Sequence, residues 1–217
     1  MKLSYAASCP SNSIINPLIH PIPMDEIIEG ISAILRAVWL MVPMLIPNSA
    51  AVLFGGGTPV DFGRKMKDGT RILGDGKTWR GLIGGTLSGI TLGLIQVVIM
   101  KALDAPEWTY SACVTQTVII LFLLSFGSMF GDMLGSFLKR RIKIARGAKA
   151  PGLDQYDFLI GTLILMVPLE WAWFYDNMLT TENMYLVGFI GLIVLIPIMH
   201  RAMNIIGFKM GKKDVPW

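Results

Sequence analysis

Five long apolar stretches constrain this chain more than any other feature of its sequence. Each is free or nearly free of charge and is close to the roughly 18 residues with which an α-helix crosses a bilayer. They predict transmembrane helices at residues 37–54, 82–100, 111–131, 158–175 and 184–199, and the third can continue to residue 138 and the last to residue 206. The composition agrees, because 53% of the 217 residues are hydrophobic and only 16% are charged. We therefore predict an all-α integral membrane protein with five transmembrane helices.

The positive charges indicate how these helices cross the membrane. Most of the 19 lysines and arginines lie in the segments after the first, third and fifth predicted helices, whereas the other connections are mainly acidic. Cytoplasmic loops next to transmembrane helices are enriched in Lys and Arg. The pattern predicts an external N-terminus, a cytoplasmic C-terminus and two functional cytoplasmic loops.

The first 24 residues differ from the rest of the chain. They are rich in proline and lack the basic and apolar regions of a signal peptide, so we predict a loosely ordered extension over residues 1–24. A single five-helix transmembrane catalytic domain is expected over residues 25–217. His20 and His200 have no metal-binding partner at ligand spacing, and their sequence surroundings indicate no role for either.

The first cytoplasmic loop, residues 55–81, mixes glycines with cations and acids. Glycine allows the backbone to approach a polyanion closely, while the cations neutralise its charge. The Gly-Lys-Thr triplet at 76–78 is not a Walker A motif, because that motif requires a glycine where Arg71 stands. A basic loop lying against anionic lipid headgroups is the alternative, but such attraction does not explain Asp61 and Asp75 among the glycines.

The second predicted helix carries a stripe of small residues. Gly81, Gly85, Gly89 and Gly93 recur at every fourth position, which favours close packing against a neighbouring helix. Such packing would hold residues 77–80 at a rigid helix start.

Three acids mark the second functional loop and the helix ends beside it. Asp132, Ser136 and Lys139 are spaced i, i+4 and i+7, so a helix places them on one face. An acid within a predicted span is a functional candidate. Asp154 and Asp157 follow at the spacing i, i+3. A helix N-terminal cap and a favourable interaction with the helix dipole are the alternative explanation for this pair. They leave Asp132 unexplained. Carboxylates beside a basic cluster are typical of sites that bind Mg²⁺ together with a polyphosphate.

The same residues carry a resemblance to a known superfamily. The segment GDMLGSFLKR at 131–140, followed by DQYD at 154–157, resembles the signature of the phosphatidate cytidylyltransferases. GDGKTWRG at 74–81 is similar to the Lys-Thr-x-Glu-Gly segment of that superfamily, and GGGTPVDFG with five predicted helices resembles its archaeal branch, the CDP-archaeol synthases. The sequence departs from the signature at Gln155, where the superfamily has arginine.

This resemblance implies an activity. The superfamily transfers the cytidylyl group of CTP to a membrane lipid phosphate with Mg²⁺ on the cytoplasmic side. For the archaeal branch the acceptor would be 2,3-bis-O-geranylgeranylglycerol 1-phosphate, and the products would be CDP-archaeol and pyrophosphate. A lipid phosphate is already an oxyanion nucleophile, so the protein has to supply positioning, metal bridging and cations for the leaving group.

The motifs and the resemblance together suggest a set of site residues. We assign Asp132, Asp154 and Asp157 as metal ligands, and these three with Lys139 as catalytic residues. The candidates for nucleotide or phosphate binding are Asp75, Gly76, Lys77, Thr78, Arg80, Ser136 and Arg140. Asn48 and Asp61 are further candidates for contact with the lipid or the nucleotide.

Two other functions remain as alternatives. A CTP-dependent polyprenol or lipid kinase would use similar clusters but would transfer the γ-phosphate. A small transporter would require charges along a path through both leaflets, whereas here they collect on one face. The expected partners are CTP, an isoprenoid glycerol lipid phosphate and the bilayer, without nucleic acid; homodimerisation is left open.

Overall fold

A computed structural model describes residues 23–144, 150, 152–209 and 211. The first 22 residues of the predicted extension and the cations Arg146, Lys149, Lys212 and Lys213 lie outside the described residues. The helices are α1 (Met24–Leu45), α2 (Pro47–Phe54), α3 (Trp79–Ala102), α4 (Val114–Arg141), α5 (Leu153–Leu169), α6 (Trp171–Phe174) and α7 (Tyr185–Lys209). We call the end of the bundle with residues 55–78 the loop end, and the end with residues 103–113 and 170–184 the opposite end.

The helices are those of a membrane protein. Among the described residues, four helical segments are long and apolar enough to cross a membrane, namely Met24–Phe54, Trp79–Ala102, Val114–Arg141 and Glu182–Lys209. The all-helical membrane architecture is therefore confirmed. The predicted fourth span differs, because α5 has 17 residues and ends at Leu169, after which the chain continues in α6 and a π-helical turn. The count of five spans stays a prediction.

The first helix begins earlier than its apolar run. We expected it to start at residue 37, but α1 starts at Met24, and its first turns are exposed. Arg36 interrupts the apolar run, yet its side chain is buried in the structure. Its guanidinium donates to the Asn177 side chain at 2.6 Å and to the Glu107 carbonyl at 2.8 Å. These acceptors satisfy the cation inside the helix packing, so the charge does not end the helix.

A kink separates α1 from α2. Pro47 lacks a backbone N–H and cannot bond to the carbonyl of Pro43, so the regular helix is interrupted at Ile46. Because of this kink, α2 and its residue Asn48 are oriented differently from α1 at the loop end.

The small-residue stripe on α3 packs against this kink, as predicted. A Cβ added at Gly89 would lie 2.6 Å from the Pro43 carbonyl oxygen and 2.9 Å from Cγ of Pro47. A second close crossing was not predicted. A Cβ at Gly161 of α5 would lie 2.6 Å from the Gly127 carbonyl oxygen of α4. The first crossing fixes α3 against the α1–α2 kink, and the second fixes α5 against α4.

Gly89→Leu tests the first crossing. The added side chain has to displace backbone atoms of the kink, so we expect the free energy of unfolding to fall by about 1–3 kcal/mol or more. Thermal melting in detergent measures the change. The matched control is Val98→Leu, which enlarges a side chain that is 67% exposed on the same helix and is expected to melt like the wild type. Equal melting temperatures for Gly89→Leu and the control would contradict the packing account.

Candidate active site

A cavity of about 540 Å³ lies at the loop end. It is bounded by α2, the first loop, the start of α3, residues 129–133 of α4, the first turns of α5 and one residue of α7. Most of the predicted site residues line it. The polar side chains in its wall, with Gly76 of the first loop, are Asn48, Asp75, Lys77, Thr78, Asp132, Asp154, Asp157 and His200.

The three predicted carboxylates come from two helices that touch. Asp157 of α5 is buried, with 7% of its surface exposed, and its Oδ1 accepts the Phe158 N–H at 2.7 Å. Gly135 of α4 makes room for it, since a Cβ there would lie 2.6 Å from Asp157 Oδ2. Asp132 lies almost one turn before Gly135, which places its carboxylate in the same cavity. The i, i+3 spacing likewise brings Asp154 to this wall.

Two lysines form ion pairs with these carboxylates. Lys77 Nζ contacts Asp132 Oδ2, joining the first loop to α4. Lys139 Nζ lies 2.6 Å from Asp154 Oδ1, joining α4 to α5. The second oxygen of Asp154 accepts the N–H of Ala150 at 2.9 Å. Lys77 and the three acids line one cavity, whereas Lys139 lies outside its wall and reaches it through Asp154.

Thr78 has a structural role beside the cavity. It is the N-cap of α3, and its Oγ1 accepts the N–H of Gly81 at 3.2 Å. The cap starts α3 directly after Lys77. Predicted contact of Thr78 with a nucleotide stays a prediction.

The first loop is organised around Asp61. The side chain of Asp61 is 1% exposed and forms a 2.8 Å ion pair with Arg71. Its oxygens also accept the backbone N–H groups of Gly63, Leu73 and Gly74 at 3.0–3.1 Å. The carboxylate thus has partners within the loop and fixes the backbone that leads into residues 75–77. We infer that Asp61 positions the loop, and its predicted contact with the lipid or the nucleotide stays a prediction.

The electrostatics agree with this account. Burial by itself would raise the pKa of Asp61, but the hydrogen bonds from Arg71 and the backbone outweigh it and hold the pKa below its ordinary value. A lowered folded-state pKa stabilises the loop at every pH above the unfolded-state value. This contribution is lost only as the pH falls through the lowered pKa, so Asp61 is ionised at neutral pH.

Other predicted residues lie outside the cavity wall. Arg80 is exposed and extends towards Gly57, where an added Cβ would lie 3.2 Å from its Cδ. Arg140 donates to the carbonyl of Ile144 at 2.7 Å, and Ser136 is buried on α4. Their assignment to phosphate binding stays a prediction.

The sequence analysis gave His200 no role and named Asn48 only as a further candidate, yet both line the cavity. His200 lines the cavity, and its Nδ1 lies 3.3 Å from the Asn204 amide nitrogen one turn later. The signal available in the sequence was a His and an Asn spaced i, i+4 in an apolar helix. Asn48 lines the cavity as predicted, and its buried Oδ1 has no hydrogen-bond partner in the part of the chain that the structure describes. An amide oxygen without a partner is suited to accept a hydrogen bond from a ligand.

The carboxylates suit a hard divalent cation by their chemistry. Mg²⁺ prefers oxygen ligands, and it is usually held by one or two carboxylates together with waters and substrate phosphates. Among the described residues, no three acidic, histidine or cysteine side chains converge closely enough to hold an ion without help. The donors therefore fit a cation that is bound jointly with a phosphate substrate, not one held in a complete protein cage.

Comparisons with known proteins agree with the fold and the motifs. The profile of a CarS-like family, described as CDP-archaeol synthase, matches residues 30–217. The CDP-archaeol synthase of Methanocorpusculum labreanum is 47% identical over 187 residues, which cover 82% of this chain and 100% of the relative. That of Pyrococcus horikoshii is 42% identical over 184 residues, which cover 85% and 97%.

A solved structure is also similar. It belongs to an intramembrane enzyme for archaeal membrane lipids biosynthesis, with a TM-score of 0.58 and 35% identity over 79% of this chain and 94% of the other. The apolar helices and the cavity at their loop end define the class as membrane-embedded enzymes. The chain belongs to the CDP-archaeol synthase family, as the motifs suggested. It is a CTP-dependent cytidylyltransferase.

Asp61→Asn tests the organisation of the loop. The change removes the charge that pairs with Arg71 and weakens acceptance from two backbone amides, so the loop should open more often. We expect amide hydrogen exchange at Leu73 and Gly74 to become about tenfold faster or more. Asp68→Asn makes the same chemical change at an exposed carboxylate of the loop and should leave these two amides protected. Unchanged exchange in Asp61→Asn would show that the carboxylate does not hold the loop.

Proposed function

We propose that this protein transfers the cytidylyl group of CTP to the phosphate of a membrane-embedded isoprenoid glycerol lipid. The acceptor is 2,3-bis-O-geranylgeranylglycerol 1-phosphate, and the products are CDP-archaeol and pyrophosphate. The observation that carries this proposal is the cavity that three carboxylates and Lys77 line at one end of apolar helices. Membership of the CDP-archaeol synthase family supports the same reaction.

The proposed reaction is a displacement at the α-phosphorus of CTP. An oxygen of the lipid phosphate forms the new P–O bond, and the bond to the β-phosphate oxygen breaks as pyrophosphate leaves. Lys77 and Lys139 bind phosphate oxygens and stabilise the charge on the leaving group. The rigid start of α3 positions Lys77, and Asn48 contributes a hydrogen bond to the bound substrates. No nucleophilic side chain is required, because the lipid phosphate is the nucleophile.

The carboxylates have a separate part in this proposal. Asp132, Asp154 and Asp157 would hold a divalent cation, which we take to be Mg²⁺. When bound, this cation would neutralise charge on the phosphate groups of the substrates. The structure supports the assignment through the ligand chemistry and through the shared cavity of the three side chains.

We also propose that residues 25–217 form one multi-pass domain with its active site in the cytoplasm. In this arrangement α5 and α6 together form a fifth crossing, the N-terminus is outside and the C-terminus is cytoplasmic. The clustering of cations at the loop end supports this orientation. It also gives the cavity access to cytoplasmic CTP.

Labelling of single cysteines tests the orientation. With Cys9 replaced by serine, the exposed Cys113 at the opposite end should react with an impermeant thiol reagent added outside intact cells. With both native cysteines replaced by serine, Lys67→Cys in the exposed first loop should react only after the membrane is opened. The reverse pattern would place the cavity outside and would contradict the proposed access to CTP.

The reaction itself is tested with purified protein, Mg²⁺, the lipid phosphate and CTP labelled in either the α- or the γ-phosphate. Transfer of the α-label to the lipid and release of labelled pyrophosphate are expected, whereas a kinase would place the γ-label on the lipid. Asp132→Asn and Asp154→Asn should lower turnover by about a hundredfold or more while melting like the wild type. Asp104→Asn, at the opposite end, is the matched control and should retain activity. Wild-type turnover in either site variant would contradict the metal-ligand assignment.

A further inference from the structure

Each of the two lysines proposed to bind phosphate is already paired with a proposed metal ligand that lines the cavity. Lys77 contacts Asp132, and Lys139 lies 2.6 Å from Asp154. The four side chains are between 21% and 29% exposed, so water screens the pairs only in part. These are not loose surface ion pairs, because the first joins the first loop to α4 and the second joins α4 to α5.

The same contacts compete with the proposed catalytic complex. The oxygen of Asp132 or Asp154 that receives a lysine ammonium cannot also bind a divalent cation at the same position. An ammonium held against a carboxylate also has fewer N–H donors left for phosphate oxygens. We therefore expect each lysine to leave its carboxylate when the substrates bind.

We propose that Lys77 and Lys139 occupy the cation positions on Asp132 and Asp154 until the cation and the triphosphate bind together. This inference rests on the proposed function and adds a linkage between its two ligands. Binding exchanges one set of opposite-charge pairs for another. The cation replaces the ammonium on each carboxylate, and each ammonium moves to the triphosphate.

The charges make either ligand unfavourable by itself. A cation that binds without nucleotide has to displace a lysine that then has no anionic partner. A nucleotide that binds without cation takes the lysines and leaves the carboxylates unpaired beside its own phosphates. When both bind, every charge regains a partner, so each ligand increases the affinity for the other by the same factor.

The surrounding structure permits this exchange without a change of fold. Lysine carries its charge on a flexible four-carbon stem, so Nζ can move while the backbone stays in place. The backbone before Lys77 is fixed by Asp61, and the backbone after it by the cap of α3. No three metal-ligating side chains converge among the described residues, which agrees with a cation that needs substrate oxygens to complete its coordination.

The test measures cation binding without nucleotide. Mn²⁺ is titrated into the purified full-length protein in detergent, and free Mn²⁺ is followed by electron paramagnetic resonance. Lys77→Met and Lys139→Met each release a carboxylate, so they should bind Mn²⁺ about three- to tenfold more tightly than the wild type. Arg140→Met is the matched control. It also removes one positive charge, close to Gly74, but that guanidinium donates to the carbonyl of Ile144 and not to a proposed metal ligand. Its affinity for Mn²⁺ should therefore equal that of the wild type.

The reciprocal measurement uses CTP in excess chelator, without a lipid acceptor. Asp132→Asn frees Lys77, so it should bind metal-free CTP about three- to tenfold more tightly than the wild type. In the wild type, CTP should raise the affinity for Mn²⁺ by about fivefold or more. Lys77→Met should show a smaller increase, because its carboxylate is already free.

Two results would overturn the exchange. One is that neither lysine variant binds Mn²⁺ more tightly than Arg140→Met, and the other is that CTP and Mn²⁺ bind to the wild type independently. The proposed function fails differently, when the wild type forms no CDP-lipid from CTP and the lipid phosphate. If one lysine variant does not fold, the other pair decides the question.

Discussion

The close contact between α4 and α5 is the constraint on which the rest of the site depends. Glycines let the two backbones meet, and a side chain at Gly131 or Gly161 would collide with the backbone of the other helix. Where the helices touch at the loop end, Asp132 and Asp157 face the same cavity. A wider spacing would separate these two carboxylates and change the cavity that they share. The arrangement of the acids therefore depends on residues that have no functional groups of their own.

Placing acids at the end of apolar helices has an energetic cost, and the structure offsets it with nearby cations. Lys77 and Lys139 neutralise two of the carboxylates directly. An uncompensated charge in such surroundings would be expensive. The pairing stabilises the folded protein without substrate, and the same charges become available to substrate when the pairs exchange. Stability and function thus draw on one set of side chains.

The two ends of the bundle use buried polar groups differently. At the opposite end, the side chain of Gln96 donates to the carbonyl of Trp39 and accepts from the hydroxyl of Tyr110, both at 2.8 Å. The indole of Trp173 donates to the carbonyl of Tyr110 at 2.6 Å. These groups satisfy one another and stabilise the helix packing. At the loop end, Asn48 keeps a buried oxygen without a partner among the described residues, which is typical of a place prepared for a ligand.

Much of the architecture followed from the sequence. Apolar runs predicted α3, α4 and α7 to within a few residues of their observed bounds, because the need to bury long apolar stretches acts locally along a helix. The start of α1 was placed too late, because the predicted span was limited to uncharged residues, whereas Arg36 is accommodated inside α1 by acceptors on Glu107 and Asn177. The motifs at 131–140 and 154–157 identified the family, because catalytic side chains recur at fixed spacing.

The sequence by itself determined the membrane class, the family and the residue types that the reaction requires. Only the tertiary structure decided which of these residues meet. Lys77 and Asp132 are separated by 55 positions, and their pairing depends on how the first loop folds around Asp61 and on how α3 crosses α4. His200 shows the same limit, because no local pattern places the last helix against the cavity. Spacing along one helix can be predicted from its period, but contacts between helices depend on the packing of the whole bundle.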